Sequence, residues 1–224
     1  MLFAAGFGTR MRHLTSARPK PLVEVAGQTL LDHALALTND VKLDRKVVNC
    51  HYFPEQIKAH LADRDDVTLI FEDGDILETG GGLKNALTQL GAGPVFTTNT
   101  DAVWSGPNPL LTLLNAWDPN EMDALLLCVP KANAIGHDGT GNTLNLDADN
   151  RLSYGGDHIY TGVQIIKTER LSEIDERSFS IKLLWEKMFE TRRMFGLNYT
   201  GKWCDVGTPE GAALAEDMLA HANV

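Results

Sequence analysis

Arg10, Arg12, Arg18 and Lys20 fall within the first twenty residues, a stretch without an acidic side chain. The chain as a whole has a formal net charge of −10, so this basic run stands against an acidic background. The run holds the turn Ala4-Ala5-Gly6-Phe7-Gly8-Thr9 before Arg10, and it closes on Pro19-Lys20-Pro21-Leu22. Gly6 and Gly8 permit close approach of backbone to a ligand, and successive N–H groups after a strand form a concavity for oxyanions. Arg10 suits bidentate contact with phosphate oxygens, while Lys20 supplies a compact, mobile charge. Together they point to a small polyanion carrying phosphates. The spacing is neither a P-loop nor a complete Gly-x-Gly-x-x-Gly fingerprint, and a Gly-x-Gly alone reads equally as a tight turn.

Two carboxylates have the right setting for a metal. Asp101 follows the apolar segment ending Thr98-Asn99-Thr100, and Asp205 follows Lys202-Trp203-Cys204. Both stand at the carboxyl ends of β-like segments, where open α/β sheets place their ligands. Facing phosphates, they could converge on one Mg2+, which takes one or two carboxylates plus phosphate oxygens. Each alone also reads as a cap or turn residue. In Leu77-Glu78-Thr79-Gly80-Gly81-Gly82 the glycines let a flat base lie against backbone, with Glu78 or Thr79 bonding its edge; a helix N-cap is the alternative. Tyr160-Thr161-Gly162 reads as a sugar pocket or as a turn within β structure. The seven histidines form no metal pattern, and no Gly-x-Ser-x-Gly elbow is present.

The elements that must position these residues alternate between strand and helix, the pattern of a parallel sheet with crossover helices. Strands are expected over 1–5, 46–52, 67–71, 94–100 and 124–129, and helices over 28–39, 54–61, 82–90 and 110–116. The run Ala124–Val129 is continuously apolar, as in a sheet covered on both faces. Residues 131–142 read as a polar loop and 143–167 as shorter β segments. An amphipathic helix over 180–192, a strand near 202–206 and a helix from Pro209 to about His221 complete the chain. One domain is expected over 1–224, with a nucleotide-binding half over about 1–130 and a β-rich, sugar-binding and metal-completing half over about 131–224. Only five residues precede Gly6, so the first strand is expected to be very short; a start a few residues upstream is left open.

Composition narrows the function. With 43% hydrophobic and 22% charged residues the chain reads as globular, and its acidity argues against nucleic acid as a partner. No apolar run approaches the roughly 18–20 residues that cross a bilayer, so no membrane partner is expected. The start lacks the features of a signal peptide, and Cys50, Cys128 and Cys204 are widely spaced, which favours reduced thiols and the cytoplasm.

Read together, the motifs resemble the sugar-1-phosphate nucleotidyltransferase family. Phe3-Ala4-Ala5-Gly6-Phe7-Gly8-Thr9-Arg10-Met11 with Pro19-Lys20-Pro21-Leu22 is similar to its signature, and the Glu78–Gly82, Asp101 and Asp205-Val206-Gly207-Thr208-Pro209-Glu210 segments follow in the same order. His13 stands where the family usually has Pro, and Thr100 where Gly is usual before the metal carboxylate. The resemblance implies a Rossmann-like mixed, mostly parallel sheet with helices on both faces and a small sugar-binding lobe. It implies transfer of a nucleotidyl group from a nucleoside triphosphate to a sugar 1-phosphate, with Mg2+ and release of pyrophosphate.

Ala4, Ala5, Gly6, Gly8, Thr9, Arg10, Glu78, Thr79, Gly80 and Asn99 are then expected at the nucleotide, and Lys20, Gly139, Tyr160, Thr161 and Gly162 at the sugar phosphate. Arg10, Lys20 and Asp101 would be catalytic, and Asp101 and Asp205 would hold the metal. The Glu-Lys-Pro motif usual in hexose-1-phosphate branches is missing. The pattern is most similar to the uridylyltransferase branch that serves recycling of the cell-wall sugar N-acetylmuramate, with UTP as donor. Guanylyl or thymidylyl transfer to mannose or glucose 1-phosphate is the alternative, and a non-catalytic nucleotide-binding regulatory module is the second. For a carboxylate on the sugar, Lys131, Arg151, Lys182 and the amides near Gly139 are the candidate partners. Trp185 and Phe189 suit either a core or an interface, so a monomer or weak homodimer is expected.

Overall fold

The structure, a computed structural model, describes residues 1–139 and 143–221. Its strands are β1 (Leu2–Phe3), β2 (Glu24–Val25), β3 (Gln28–Thr29), β4 (Lys46–Cys50), β5 (Val67–Phe71), β6 (Val95–Asn99), β7 (Ala102–Ser105), β8 (Ala124–Pro130), β9 (Ala134–Ile135), β10 (Leu144–Leu146), β11 (Leu152–Tyr154), β12 (His158–Ile166), β13 (Met194–Asn198) and β14 (Lys202–Asp205). The α-helices are α1 (Leu30–Ala36), α2 (Pro54–His60), α3 (Glu78–Leu90), α4 (Pro109–Ala116), α5 (Lys182–Glu190) and α6 (Pro209–Ala220). The main sheet runs β5-β4-β1-β6-β12-β8-β13. Within that spine the strands run parallel except β12, which is antiparallel to both β6 and β8. A second sheet, β7-β14-β9, lies beyond the carboxyl end of β6.

Side-chain alternation explains why the central strands are apolar throughout. On β8, Ala124, Leu126 and Cys128 join the core under α5, while Leu125, Leu127 and Val129 join Leu110 and Leu113 of α4 on the opposite face. On β4, Val47 faces Leu83 of α3, whereas Val48 and Cys50 face Leu31 and Leu35 of α1 and Ile57 of α2. Local signals start the helices. Thr29 caps α1 by accepting from the Asp32 N–H, and Asn108 and Thr208 cap α4 and α6, each followed by a proline.

Several boundaries differ from the periodicity. The first strand stops at Phe3 because the chain turns into the glycine loop. Gln28 and Thr29 pair with β2 instead of opening a helix. The helix expected at Gly82 begins at Glu78, because the glycines bury their backbone under a following segment. The polar stretch from Lys131 contains a 3-10 turn and β9; its residues 140–142 lie outside the described residues. Strands β7 and β13 have no clear sequence signature, and β13 pairs in parallel with β8. The β-rich half is continuous with the main sheet, since β12 inserts between β6 and β8 and β10-β11 form a hairpin beside it. Trp185 is core: it is 3% exposed and its indole N–H donates to Gln164.

The glycine run has a packing reason. The N–H groups of Gly80 and Gly81 both donate to the Phe179 carbonyl, and a Cβ on Gly81 would overlap the Arg177 carbonyl oxygen. Alanine gains up to about 1 kcal/mol of helix propensity, which backbone overpacking of about 1–3 kcal/mol exceeds. Gly81→Ala is therefore expected to lower stability by roughly 1–2 kcal/mol, read as a reduced midpoint in urea unfolding.

Candidate functional site

The site grows from the carboxyl ends of β1 and β6. Past Phe3 the chain leaves the sheet, and the Ala4 N–H donates to the Asn49 side chain at 2.9 Å. Gly8 has φ 63, and a Cβ there would lie 2.7 Å from the Lys20 Cβ, so a side chain would displace the lysine. The Gly8 carbonyl accepts from Met11 N–H and from the Thr15 hydroxyl, which closes the loop onto the 3-10 segment Thr9–Thr15. Thr100, standing where the family usually has Gly, donates its hydroxyl to the Phe3 carbonyl at 2.8 Å and ties the two strand ends together.

The chain then turns at Asp101 into β7, whose Ala102 pairs with Asp205 of β14. The Val206 N–H donates to the Asp101 carbonyl at 2.8 Å, so the two carboxylates sit on adjacent backbone. Lys20 Nζ donates to Asp101 Oδ2 at 2.8 Å, and the lysine side chain is 12% exposed. Burial works against charge on Asp101, but Lys20 and Arg10 outweigh it and hold its carboxyl below the ordinary value. Burial, then the negative charge of Asp101, pushes the Asp205 carboxyl up to about 6, against the pull of Lys20, Arg10 and His137. Two acids pushed apart in this way form a place for added positive charge.

A cavity of about 200 Å3 opens in front of Lys20 and Asp101. Ala4, Ala5, Gly6, Lys20, Glu78, Thr79, Asn99 and Asp101 all line it, drawn from four separate stretches of sequence. Arg10 stands to one side: a Cβ on Gly207 would meet its guanidinium at 3.0–3.1 Å, so that glycine gives it a flat seat. Arg12 pairs with Glu210 at 3.1 Å in solvent, away from the carboxylates. Glu78 has φ 58, an unusual conformation for a non-glycine residue, and Thr79 accepts from the Ile181 N–H at 2.9 Å.

The other expected residues do not line this cavity. Gly80 packs under the Phe179 ring and lies off the cavity wall. Tyr160 stacks edge-on against Trp185, burial holds its phenol above the ordinary value, and Thr161 donates to the Leu127 carbonyl inside the core. Gly162, with φ 87, backs onto the Asn99 side chain. Gly139 lies against the Lys131 stem, on the loop that carries His137. Arg151 donates to the Arg192 carbonyl and covers the Phe195 ring, at the opposite edge of the sheet.

The sequence reading passed over Asn49, Ile76 and His137. Asn49 carried a usable signal, as the polar residue in the otherwise apolar Val47-Val48-Asn49-Cys50. His137 carried none, because the parallel pairing of β9 with β14 alone brings it beside Asp205.

Known proteins are similar to this chain in sequence and fold. A family profile described as "MobA-like NTP transferase domain" matches residues 1–138. The chain is 38% identical to N-acetylmuramate alpha-1-phosphate uridylyltransferase of Caulobacter vibrioides, over 99% of this chain and 97% of that protein. It is 29% identical to the mannose-1-phosphate guanylyltransferase catalytic subunit beta of Drosophila pseudoobscura pseudoobscura, over 94% of this chain but 59% of that one. The inositol-1-phosphate CTP transferase of T. maritima has the same fold, with a TM-score of 0.79 at 16% identity over 97% of this chain and 94% of that one.

Proposed function

Because the chain belongs to the MobA-like NTP transferase domain family, we propose that it joins UTP to N-acetylmuramate 1-phosphate, releasing pyrophosphate, in recycling of cell-wall sugar. It is an enzyme of the nucleotidyltransferase class. The observation that carries the reading is the Lys20–Asp101 pair at 2.8 Å, which lines one cavity with Ala4–Gly6 and has Asp205 on the backbone next to Asp101.

A sugar phosphate is already ionised at neutral pH, so the reaction needs no general base, and catalysis rests on positioning and charge. The amides from Ala5 to Thr9 cradle the triphosphate. Lys20 lies between the α-phosphate and the incoming sugar phosphate and draws the two like-charged groups into line. Arg10, seated on Gly207, neutralises charge growing on the leaving pyrophosphate. Glu78 and Thr79 face the base. Lys131, whose stem packs against Gly139, would meet an acidic substituent on the sugar.

The donor set fits Mg2+. Asp101 and Asp205 are adjacent, and the charge of one raises the other. Among the described residues no third histidine, thiol or carboxylate joins them, which suits an ion that completes its shell with water and phosphate oxygens. Held by Asp101 and Asp205, Mg2+ would neutralise and orient the triphosphate. All these groups come from one chain, so a monomer or weak homodimer suffices. No helix among the described residues is long and apolar enough to cross a membrane, and the three cysteines are free and buried. We place the activity in the cytoplasm, where nucleoside triphosphates are available.

The test is pyrophosphate release from four nucleoside triphosphates against N-acetylmuramate, N-acetylglucosamine, glucose and mannose 1-phosphates. The expected result is turnover concentrated in the UTP and N-acetylmuramate pair. A preference for GTP with mannose 1-phosphate would replace this reading with the guanylyltransferase one, and silence in every pair would favour a regulatory nucleotide-binding module.

A further inference from the structure

Glu72 follows β5 and is 4% exposed, and both its oxygens are taken by neutral donors. Oε1 accepts from Asn49 Nδ2 at 2.6 Å, and Oε2 accepts from the Leu77 N–H at 3.1 Å. Asn49, 2% exposed on β4, uses its own Oδ1 to accept from the Ala4 N–H at 2.9 Å. A Cβ on Gly82 would lie 2.9 Å from both Asn49 Nδ2 and Glu72 Oε1, so the N-terminal part of α3 rests directly on the pair. The positive end of that helix favours the buried carboxylate.

These bonds form one buried line, from Ala4 through Asn49 and Glu72 to Leu77. Its ends are the first residue of the phosphate loop and the residue before Glu78. The line thus joins two walls of the same cavity, one formed by Ala4–Gly6 and the other by Glu78–Thr79. Asn49 backs the cavity wall but is 2% exposed with its amide taken up by Ala4 and Glu72, and Glu72 does not reach the wall, so neither serves the chemistry directly.

We infer that Asn49 and Glu72 are positioning residues that hold the triphosphate loop and the base-facing turn at a fixed separation, an inference that rests on reading the cavity as the nucleotide site. The Ala4 N–H is committed inward to Asn49, which sets the peptide from which the amides of Ala5 to Gly8 proceed outward. Leu77 is pinned to the other end of the line, which holds Glu78 in its left-handed conformation. A buried line in which every donor meets an acceptor resists slippage, because breaking any link leaves a polar group unpaired.

The polarity of the line provides the test. Glu72→Gln brings an amide to a point where two donors converge, and Asn49→Asp sets two carboxylates face to face. In the double variant the introduced aspartate accepts from Ala4 and from the introduced amide, whose oxygen accepts from Leu77, so the line closes again with reversed polarity. Each single variant is expected to raise the KM for UTP roughly tenfold. Over the same comparison kcat changes less than about threefold, and the double variant recovers KM to within about threefold of the parent.

Hydrogen exchange in the ligand-free protein gives a readout independent of turnover. Amides at 4–8 and at 77–79 are expected to exchange faster together in each single variant and to recover together in the double. A loss of melting temperature with unchanged UTP KM, a double variant that fails to recover, or faster exchange confined to one segment would overturn the inference. Absence of turnover by the parent enzyme with every substrate pair would instead remove the proposed function, and exchange would still decide whether the two segments are coupled.

Discussion

Lys20→Ala is expected to lower the rate of pyrophosphate release by about 10²–10³ while the protein remains folded. The lysine stem fills the space left by Gly8, and its ammonium lies 2.8 Å from Asp101 Oδ2 on the cavity floor. A preorganised charge at that point costs nothing to reorient as the two phosphates approach, and water entering the truncated site cannot replace it. Asp101 side chains are 32% exposed, so solvent moderates the cost of leaving this carboxylate without its partner. Far-UV circular dichroism and the melting temperature are therefore expected to stay close to wild type. Asp101→Asn is the complementary change and is expected to be nearly inactive as well, because it keeps the shape and removes the charge. Pyrophosphate release at the wild-type rate by either variant would sink the site assignment.

Asp205→Asn is expected to be both nearly inactive and more stable. Its carboxylate is held beside Asp101, and burial with that neighbouring charge raises its pKa from 3.8 to about 6. A carboxyl with a raised folded-state pKa binds more protons folded than unfolded, so ionising it costs stability. The cost is absent below the unfolded value of 3.8, grows between 3.8 and about 6, and is present in full above that. With a chelator present, the asparagine variant should thus melt above wild type at pH 8, with the gain fading as pH falls toward 4. Activity should move the other way, with a loss of about 10²–10³ at fixed Mg2+ that is partly recovered by raising the metal concentration. Equal melting temperatures at pH 8, or an unchanged metal requirement, would contradict the role given to this residue.

Much of this site was legible along the chain because each part is a local device. The glycine turn, Lys20 between two prolines, and Asp101 at the end of an apolar strand are all read from residue types within a few positions of one another. The same logic misplaced Gly80 and Gly81. Their flexibility suggested a surface for a base, yet the close approach they permit is that of the 177–179 segment. Tyr160 and Thr161 misled for a similar reason, since an aromatic and a hydroxyl beside a glycine look alike in a pocket and in a core. Tyr160 pairs with Cys128 of β8 and packs on Trp185, and Thr161 bonds the Leu127 carbonyl, contacts that no local pattern encodes.

The sequence by itself therefore determined the fold class, and it singled out the glycine turn, Arg10, Lys20 and the two carboxylates as candidates. These follow from period, turn chemistry and charge, which act over short stretches of chain. Tertiary structure alone decided which groups meet. The pairing of Ala102 with Asp205 puts the two carboxylates on adjacent strands, and that of Ile135 with Cys204 carries in His137. The hydrogen bonds through Asn49 and Glu72 bring the loop at Ala4 against the turn at Leu77. Such contacts join residues far apart in sequence, and they form only where burial leaves a polar group no partner but another part of the same chain.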